Sequence, residues 1–294
     1  MGSHASVSGS RPGDVVEVRC IEREREALLE FKQGLIDEGG LLSSWGDVDH
    51  QKECCEWHGV VCSETTRHVI GLNLPFGELH GNVSRALLEL QHLNHLDLSY
   101  NDFDGKEIPG FIASFPELEH LYLAYCGFSG IIPHQLGNMT NLRTLDLSWN
   151  RLEGLMPELR LIALRELHLS HNFLQGVVSE AHFSNLHSLK LLHLSYNSLV
   201  FNFSTTTNNW VPPFQLDVMD VASCYMGPHF PEWVQTQSNI SHLGLAGAGI
   251  SGQVPEWLWD LSPRLQYLNI SHNPDKWQGS RFVIKVLAFS HNRY

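Results

Sequence analysis

Leucines along this chain recur in a fixed phrase: LNHLDLSYNDFDGKEIP from Leu93, then LEHLYLAYCGFSGIIP, LRTLDLSWNRLEGLMP, LRELHLSHNFLQGVVS and LKLLHLSYNSL. The middle leucine of L-x-x-L-x-L marks each copy. It falls at Leu72, Leu96, Leu121, Leu145, Leu167, Leu192, Met219, Leu243, Leu268 and Leu287, in steps of 24, 25, 24, 22, 25, 27, 24, 25 and 19. In L-x-L the leucines point to one face of an extended strand and x to the other. A strand this short cannot bury its leucines alone. Stacking successive turns at roughly 4.8 Å builds a parallel sheet over a continuous core. The Asn closing each phrase turns inward to bond adjacent backbone turns, because buried peptide groups need partners. It stands at Asn101, Asn150, Asn172, Asn197, Asn273 and Asn292, with Cys126, Cys224 and Ala248 in its place elsewhere. Gly130–Pro133, Gly227–Pro231 and Gly252–Pro255 predict a second, shorter extended segment on the flank.

The period predicts an α/β leucine-rich repeat solenoid, a curved right-handed superhelix with a parallel sheet on its concave face. Ahead of the repeats, CIEREREALLEFKQGLI sets Leu28, Leu29, Phe31, Leu35 and Ile36 on one helical stripe, and LLSSW and ECCEWHGVVC follow. An open solenoid end needs cover, so this stretch reads as an N-terminal cap. The division expected is a flexible segment over 1–19, the cap over 20–67, about nine repeats over 68–273 and an irregular, shortened repeat over 274–294.

Charge and cysteine narrow the setting. The formal charge of −13 argues against a nucleic-acid backbone as partner, since phosphate binding needs clustered cations. No apolar run is long enough to span a membrane. The opening MGSHASVSGSRPGDVVEVR lacks the apolar core of a secretory signal. Yet four of the six cysteines lie between Cys20 and Cys62, a density that suggests disulfides and an oxidising compartment. Sequons at Asn82, Asn138, Asn202, Asn239 and Asn269 agree with a secreted-type protein. Cys126 and Cys224 lie four repeats apart, roughly 19 Å at one strand spacing per repeat, too far for a disulfide. They are expected as buried free thiols.

The pattern C-x-x-x-E-x-x-A-L-L-x-F-K from Cys20, Ser44–Trp45, and C-C-x-W-x-G-V-x-C from Cys54 to Cys62 resembles the cap of plant extracellular leucine-rich repeat proteins. IEREREALLEFKQGLIDEGG, VPPFQL at Val211–Leu216 and SCYMGPHFPEWVQTQ at Ser223–Gln237 resemble receptor-like proteins of the tomato xylanase-receptor type. The resemblance spans about residues 20–273 and implies disulfides Cys20–Cys54 and Cys55–Cys62. Members of that family are cell-surface immune receptors with many more repeats, an island domain, one membrane helix and no kinase of their own. They bind microbial proteins and signal through partner kinases. DKWQGSRFVIKV after Pro274 departs from their pattern, so the chain reads as a truncated ectodomain or a shortened gene product.

No G-x-S-x-G, H-E-x-x-H or phosphate loop is present, and a repeat lattice offers columns of like residues rather than a converging catalytic site. No enzyme and no cofactor are expected. Among the 18 histidines, His95 and His120 share one outward slot, and His168 and His193 another, with His171 close by. Adjacent slots are close enough to share a metal, but no third ligand of fixed geometry is implied, so solvated histidines are the favoured reading. The slot before the ladder Asn stays aromatic-like: Tyr100, Tyr125, Trp149, His171 and Tyr196. Beside it runs a second column, Asp97, Tyr122, Asp146, His168 and His193. Rings can recur at such a slot merely to shield the Asn. A row of exposed rings with charges alongside is also the make-up of a protein-binding hot spot. These columns, with His95 and His120, are the candidate ligand surface, with Trp149 as its central anchor. Protonating all 18 histidines would carry the charge from −13 to +5, so binding to an acidic ligand should strengthen as pH falls. The partner expected is an extracellular protein or peptide, with a microbial glycoside hydrolase and a co-receptor kinase as candidates. The alternative is a secreted inhibitor of microbial wall-degrading glycoside hydrolases, like polygalacturonase-inhibiting proteins, which share this cap and a similar repeat number. An ice-binding surface is disfavoured, because the concave slots form no flat Thr/Asn lattice.

Overall fold

The computed structural model describes residues 20–46, 48, 53–203, 210–251, 254–261 and 264–274. The expectations for residues 1–19 and for 275–294, including Leu287 and Asn292, lie outside these, as does Gly252. In chain order the elements are α1 (Glu22–Gln33), β1 (Leu35–Asp37), β2 (Val60–Cys62), β3 (Val69–Asn73), β4 (Leu79–Gly81), β5 (His95–Asp97), β6 (His120–Tyr122), β7 (Ser129–Ile131) and β8 (Thr144–Asp146). Then come β9 (Arg151–Leu155), β10 (Glu166–His168), β11 (Phe173–Val178), β12 (Leu191–His193), β13 (Ser198–Phe201), β14 (Val218–Asp220), β15 (His242–Gly244), α2 (Trp257–Asp260) and β16 (Tyr267–Asn269).

Every marker residue from Leu72 to Leu268 sits in one sheet, ordered β16-β15-β14-β12-β10-β8-β6-β5-β3-β2. It is parallel throughout except where the cap strand β2 closes it antiparallel to β3. Short 3-10 turns such as Gly110–Ser114 and His134–Asn138 carry the chain back between strands. The leucines of successive turns form one continuous buried core.

The ladder Asn does what its position requires. Asn150 Nδ2 donates to Leu123 O of the preceding repeat (2.7 Å) and to Leu147 O (3.0 Å), while its Oδ1 accepts from Cys126 N (3.2 Å) and Phe128 N (2.9 Å). Asn101, Asn172, Asn197 and Asn273 repeat the pattern one turn at a time. Cys126 and Cys224 are buried free thiols in the same slot, and Cys126 Sγ donates to Leu98 O at 3.0 Å.

The flank carries its own parallel sheet, β7-β9-β11-β13. Of the two Gly–Pro pieces whose glycines are described, that of Gly130 joins it. Gly227 instead lies outside any strand, against the Gly249 carbonyl, and the sheet ends in an isolated Val200–Tyr225 bridge. The flank strands interlock. Gly154, at φ +80°, leaves room for Ile131, since a Cβ there would stand 3.0 Å from Ile131 Cγ2. Gly176 does the same for Leu155 one repeat on.

The cap departs from expectation at one point. Its helix stops at Gln33, and Leu35 and Ile36 lie in β1, not on the helical stripe. Gly34 ends the helix, and β1 then pairs antiparallel with β4, with Ile36 opposite His80. Leu28 and Phe31 are fully buried, and Trp45 stacks on Trp57 at 5.4 Å. The buried Glu24 carboxylate welds cap to solenoid, accepting from Val69 N at 2.7 Å and facing His68 Nδ1 at 2.7 Å. Disulfides join Cys20 to Cys54 and Cys55 to Cys62.

The wide step of 27 residues between Leu192 and Met219 spans VPPFQL, and this stretch packs onto SCYMGPHFPEWVQTQ. Trp210 and Phe214 meet Trp233 edge-on at 5.8 and 6.5 Å. Gln237 Oε1 accepts from Leu216 N (2.8 Å), and Gln215 Oε1 accepts from Ser238 N (3.0 Å). The two phrases are halves of one packing unit.

Candidate functional site

All twelve candidate residues lie on the open face of the large sheet, in three columns. Strand pairing sets His95 beside His120, whose Nδ1 lies 3.1 Å from Thr144 Oγ1. The same pairing runs the second column from Asp97 through Tyr122, Asp146 and His168 to His193, and on to Asp220. The carboxylates here are partly committed. Asp97 Oδ1 accepts from Ser99 N (2.8 Å), and Asp146 Oδ1 accepts from Ser148 N (2.9 Å) and Oγ (2.6 Å), closing the strand ends.

The third column is the aromatic one. Tyr100, Tyr125, Trp149, His171 and Tyr196 all have left-handed backbones, with φ between 53° and 59°. Each ring therefore swings out beside the next. Centroids are 4.7 Å apart for Tyr100–Tyr125, 4.7 Å for Tyr125–Trp149, 3.5 Å for Trp149–His171 and 4.3 Å for His171–Tyr196, with planes within 18° of parallel. Phe76 extends the stack at 4.1 Å from Tyr100, with φ 58°. The sequence reading missed it, because Pro75 and Gly77 replace Ser and Asn in the phrase; the preceding Leu72-Asn73-Leu74 was the available signal. The Phe, Tyr and Trp rings remain exposed, Trp149 at 45%, and His171 is half-buried between its neighbours. Their faces are taken up by one another, so the column offers a ligand mainly ring edges.

Energetics alone leave the stack nearly neutral. A left-handed non-glycine residue costs about 1–2 kcal/mol, and an aromatic pair returns about 0.5–1.5 kcal/mol. The backbone does not ask for a ring. Ser223 and Gly247 hold the same slot at φ 63° and 61°.

Electrostatics revise the histidine expectation. Burial pushes His95, His171 and His193 below the ordinary imidazole range, with His168 adding to the effect on His193, while Asp97 beside His95 and Asp220 beside the other two oppose it. Charging these three therefore begins at lower pH than for free imidazoles. Burial also raises the Tyr122 and Tyr125 phenols. His168 and His193 meet edge-on at 5.0 Å. Among the described residues, the side-chain groups that converge closely enough to hold a metal are Cys20/Cys54/Cys55, already in disulfides, and His80/Asp102/Asp104; the columns contribute to neither.

Of the sequons, Asn82, Asn138 and Asn202 are exposed. Asn239 Oδ1 accepts from Arg264 Nη1 at 2.6 Å. Asn269 lies in β16, where its Oδ1 accepts from Ser271 N as Asp97 does from Ser99 N.

Comparison with known proteins agrees with this architecture. Residues 74–294 match the leucine-rich repeat region model, and residues 21–63 match the leucine-rich repeat N-terminal domain model. The receptor-like protein EIX1 of Solanum lycopersicum is 48% identical over 146 residues, 45% of this chain and 14% of that protein. The chain thus spans a small part of the length of such relatives. The plant peptide hormone receptor RGFR1, solved in complex with RGF2, superposes with a TM-score of 0.56 at 31% identity over 66% of this chain and 30% of that one. A plant ice-binding protein superposes with a TM-score of 0.64 at 23% identity, over 87% of this chain and 88% of its own, a likeness of fold alone.

Proposed function

The chain belongs to the leucine-rich repeat family of plant receptor-like proteins, and from that premise we propose that its ring column anchors an extracellular protein or peptide ligand. Relatives of this kind are non-catalytic, and so is this module. One observation carries the proposal. Five consecutive repeats keep a bulky ring at a left-handed slot where Ser223 and Gly247 hold the same backbone without one. Edge-on rings suit a protein or peptide surface, which meets them with hydrogen bonds and apolar side chains. They suit a sugar poorly, since sugars pack on open ring faces. RGFR1, bound to RGF2 in its solved structure, supports the peptide reading at the level of the module. The cap disulfides support an extracellular setting. No helix among the described residues is long and apolar enough to cross a membrane.

The test is binding to a panel of secreted fungal glycoside hydrolases, followed by calorimetry with variants. Binding without inhibition supports a receptor-type module; inhibition moves the reading to the inhibitor class. Trp149→Ala should cost about 2 kcal/mol of affinity, as for a central anchor. If Trp149→Ala and Tyr125→Ala both leave the affinity unchanged, the column is framework and the site assignment fails.

A further inference from the structure

We propose that a recess where the cap meets the head of the ring column binds an organic cation, the ammonium or guanidinium group of a ligand side chain or chain terminus. The recess is open to solvent and offers about 500 Å³. Its lining brings together the rings of Phe76, Tyr100 and Tyr125 and the carboxylate-bearing Glu38, Glu78 and Asp102, with His80 beside them. Three separate stretches supply these groups: the turn after β1, the turn between β3 and β4, and the repeats that follow.

The balance of charge selects the occupant. No Lys or Arg lines the recess. The cation nearest in sequence, Lys106, is held elsewhere, donating to Gly81 O at 2.7 Å and lying 3.4 Å from Asp104 Oδ2. Glu38 and Glu78 make no hydrogen bond or ion pair with any described residue. Asp102 Oδ1 accepts only a local backbone bond, from Asp104 N at 2.9 Å. Three carboxylates lining one recess that no Lys or Arg enters make it a place where a cation is favoured over an anion or a neutral group. The unstacked face of Phe76 adds attraction through the ring quadrupole, which favours an alkylammonium or guanidinium over a fully hydrated ion, whereas Tyr100 and Tyr125, stacked on both faces, contribute shape rather than cation binding. Phe76 is well placed for this: it ends the stack, with one ring partner where each interior ring has two, and it is 61% exposed.

As the head of the ring column, the recess would seat one charged group of the proposed protein or peptide ligand, and for that biological occupant it rests on the preceding reading. Its chemistry is tested separately, with small probes. Saturation-transfer NMR on the full chain at neutral pH and low salt would compare N-acetyl-arginine methylamide, N-acetyl-lysine methylamide and alanine methylamide with uncharged N-acetyl-norleucine methylamide. The expected result is a signal from at least one cation several-fold above norleucine. The strongest of the three tells a guanidinium, a lysine or a free chain terminus apart. The Glu38→Gln/Glu78→Gln double variant should lose at least fivefold, and Phe76→Leu a smaller fraction, with far-UV circular dichroism and melting unchanged. The exposed control pair Glu153→Gln/Glu158→Gln should change nothing; an equal loss there would trace the signal to overall charge and overturn the proposal. So would a norleucine signal matching the cations, or no loss in the Glu38/Glu78 variant. Zinc or calcium binding with no organic-cation signal would hand the recess to His80, Asp102 and Asp104 as a metal site, and overturn it too. Failure of these probes alongside intact, Trp149-dependent ligand binding sinks this inference alone.

Discussion

The repeats that carry Tyr100 to Tyr196 and those that carry Ser223 to His272 share a backbone and differ in what is hung on it. Both halves place a left-handed residue after the strand. The first half fills that slot with stacked rings and, Cys126 apart, follows it with Asn. The second half has Ser223 and Gly247, followed by Cys224 and Ala248, and its lone ring, His272, has no stacked neighbour in the preceding repeat. Among the described residues the flank sheet also stops between the halves, at β13. The leucine core and the main sheet cross the boundary unbroken. The solenoid therefore requires the leucines and the left-handed turn. The rings, the Asn and the flank sheet are additions that one half carries and the other largely lacks.

The sharpest test of that division is Asn150→Ala. It strands the Cys126 and Phe128 amides and the Leu123 carbonyl in the interior, while the Leu147 carbonyl keeps its bond from Asn172 Nδ2, and it should cost on the order of 4 kcal/mol in denaturant unfolding. A loss below about 1 kcal/mol would mean the first half depends on its Asn no more than repeat eight depends on Ala248. Trp149→Gly should do much less. It loses two ring contacts but relieves a left-handed non-glycine residue, so stability should move by about 1 kcal/mol or less while ligand affinity falls. A loss of several kcal/mol would make the stack structural.

Acid offers a milder probe. His95, His171 and His193 charge less readily folded than unfolded, so the unfolded chain takes up more protons as pH drops below about 6.5. Their stabilising effect is complete above that pH and is lost beneath it. Urea midpoints should decline from pH 7 to 5, and His193→Gln should flatten the decline; an unchanged slope would show that the first half's histidines do not couple to folding. The smallest effect expected is from Ser223→Tyr, which extends the stack onto Tyr196 and should add about 0.5 kcal/mol. Clear destabilisation would show that the second half cannot host a ring.

Much of this was written in the leucines. Their period located each strand of the main sheet from β3 to β16, because only the alternation buries them. The inward Asn followed from the need to satisfy buried amides, and the thiols at Cys126 and Cys224 from occupying its slot. Leu35 and Ile36 were misread because apolar residues extend the helical stripe on paper, while Gly34 and the pairing with β4 decide otherwise. The left-handed backbone beneath the rings went unread, although Gly247 in the same slot was its signature. The recess was not legible at all. Glu38 lies 64 residues from Asp102, and only the fold of the cap onto the first repeats brings them together.

The interlocking flank glycines carry a consequence for how such chains change over generations. Gly130–Ile131 and Gly154–Leu155 each present a socket followed at once by a plug, and each plug faces the glycine of the next repeat, Gly154 and Gly176. Any of these units can follow any other, because each accepts what its predecessor offers. Unequal recombination can then duplicate or delete a whole unit without leaving a mismatched seam. Repeat number, and with it the length of the recognition surface, becomes a quantity that lineages can alter in whole steps while the joints keep fitting.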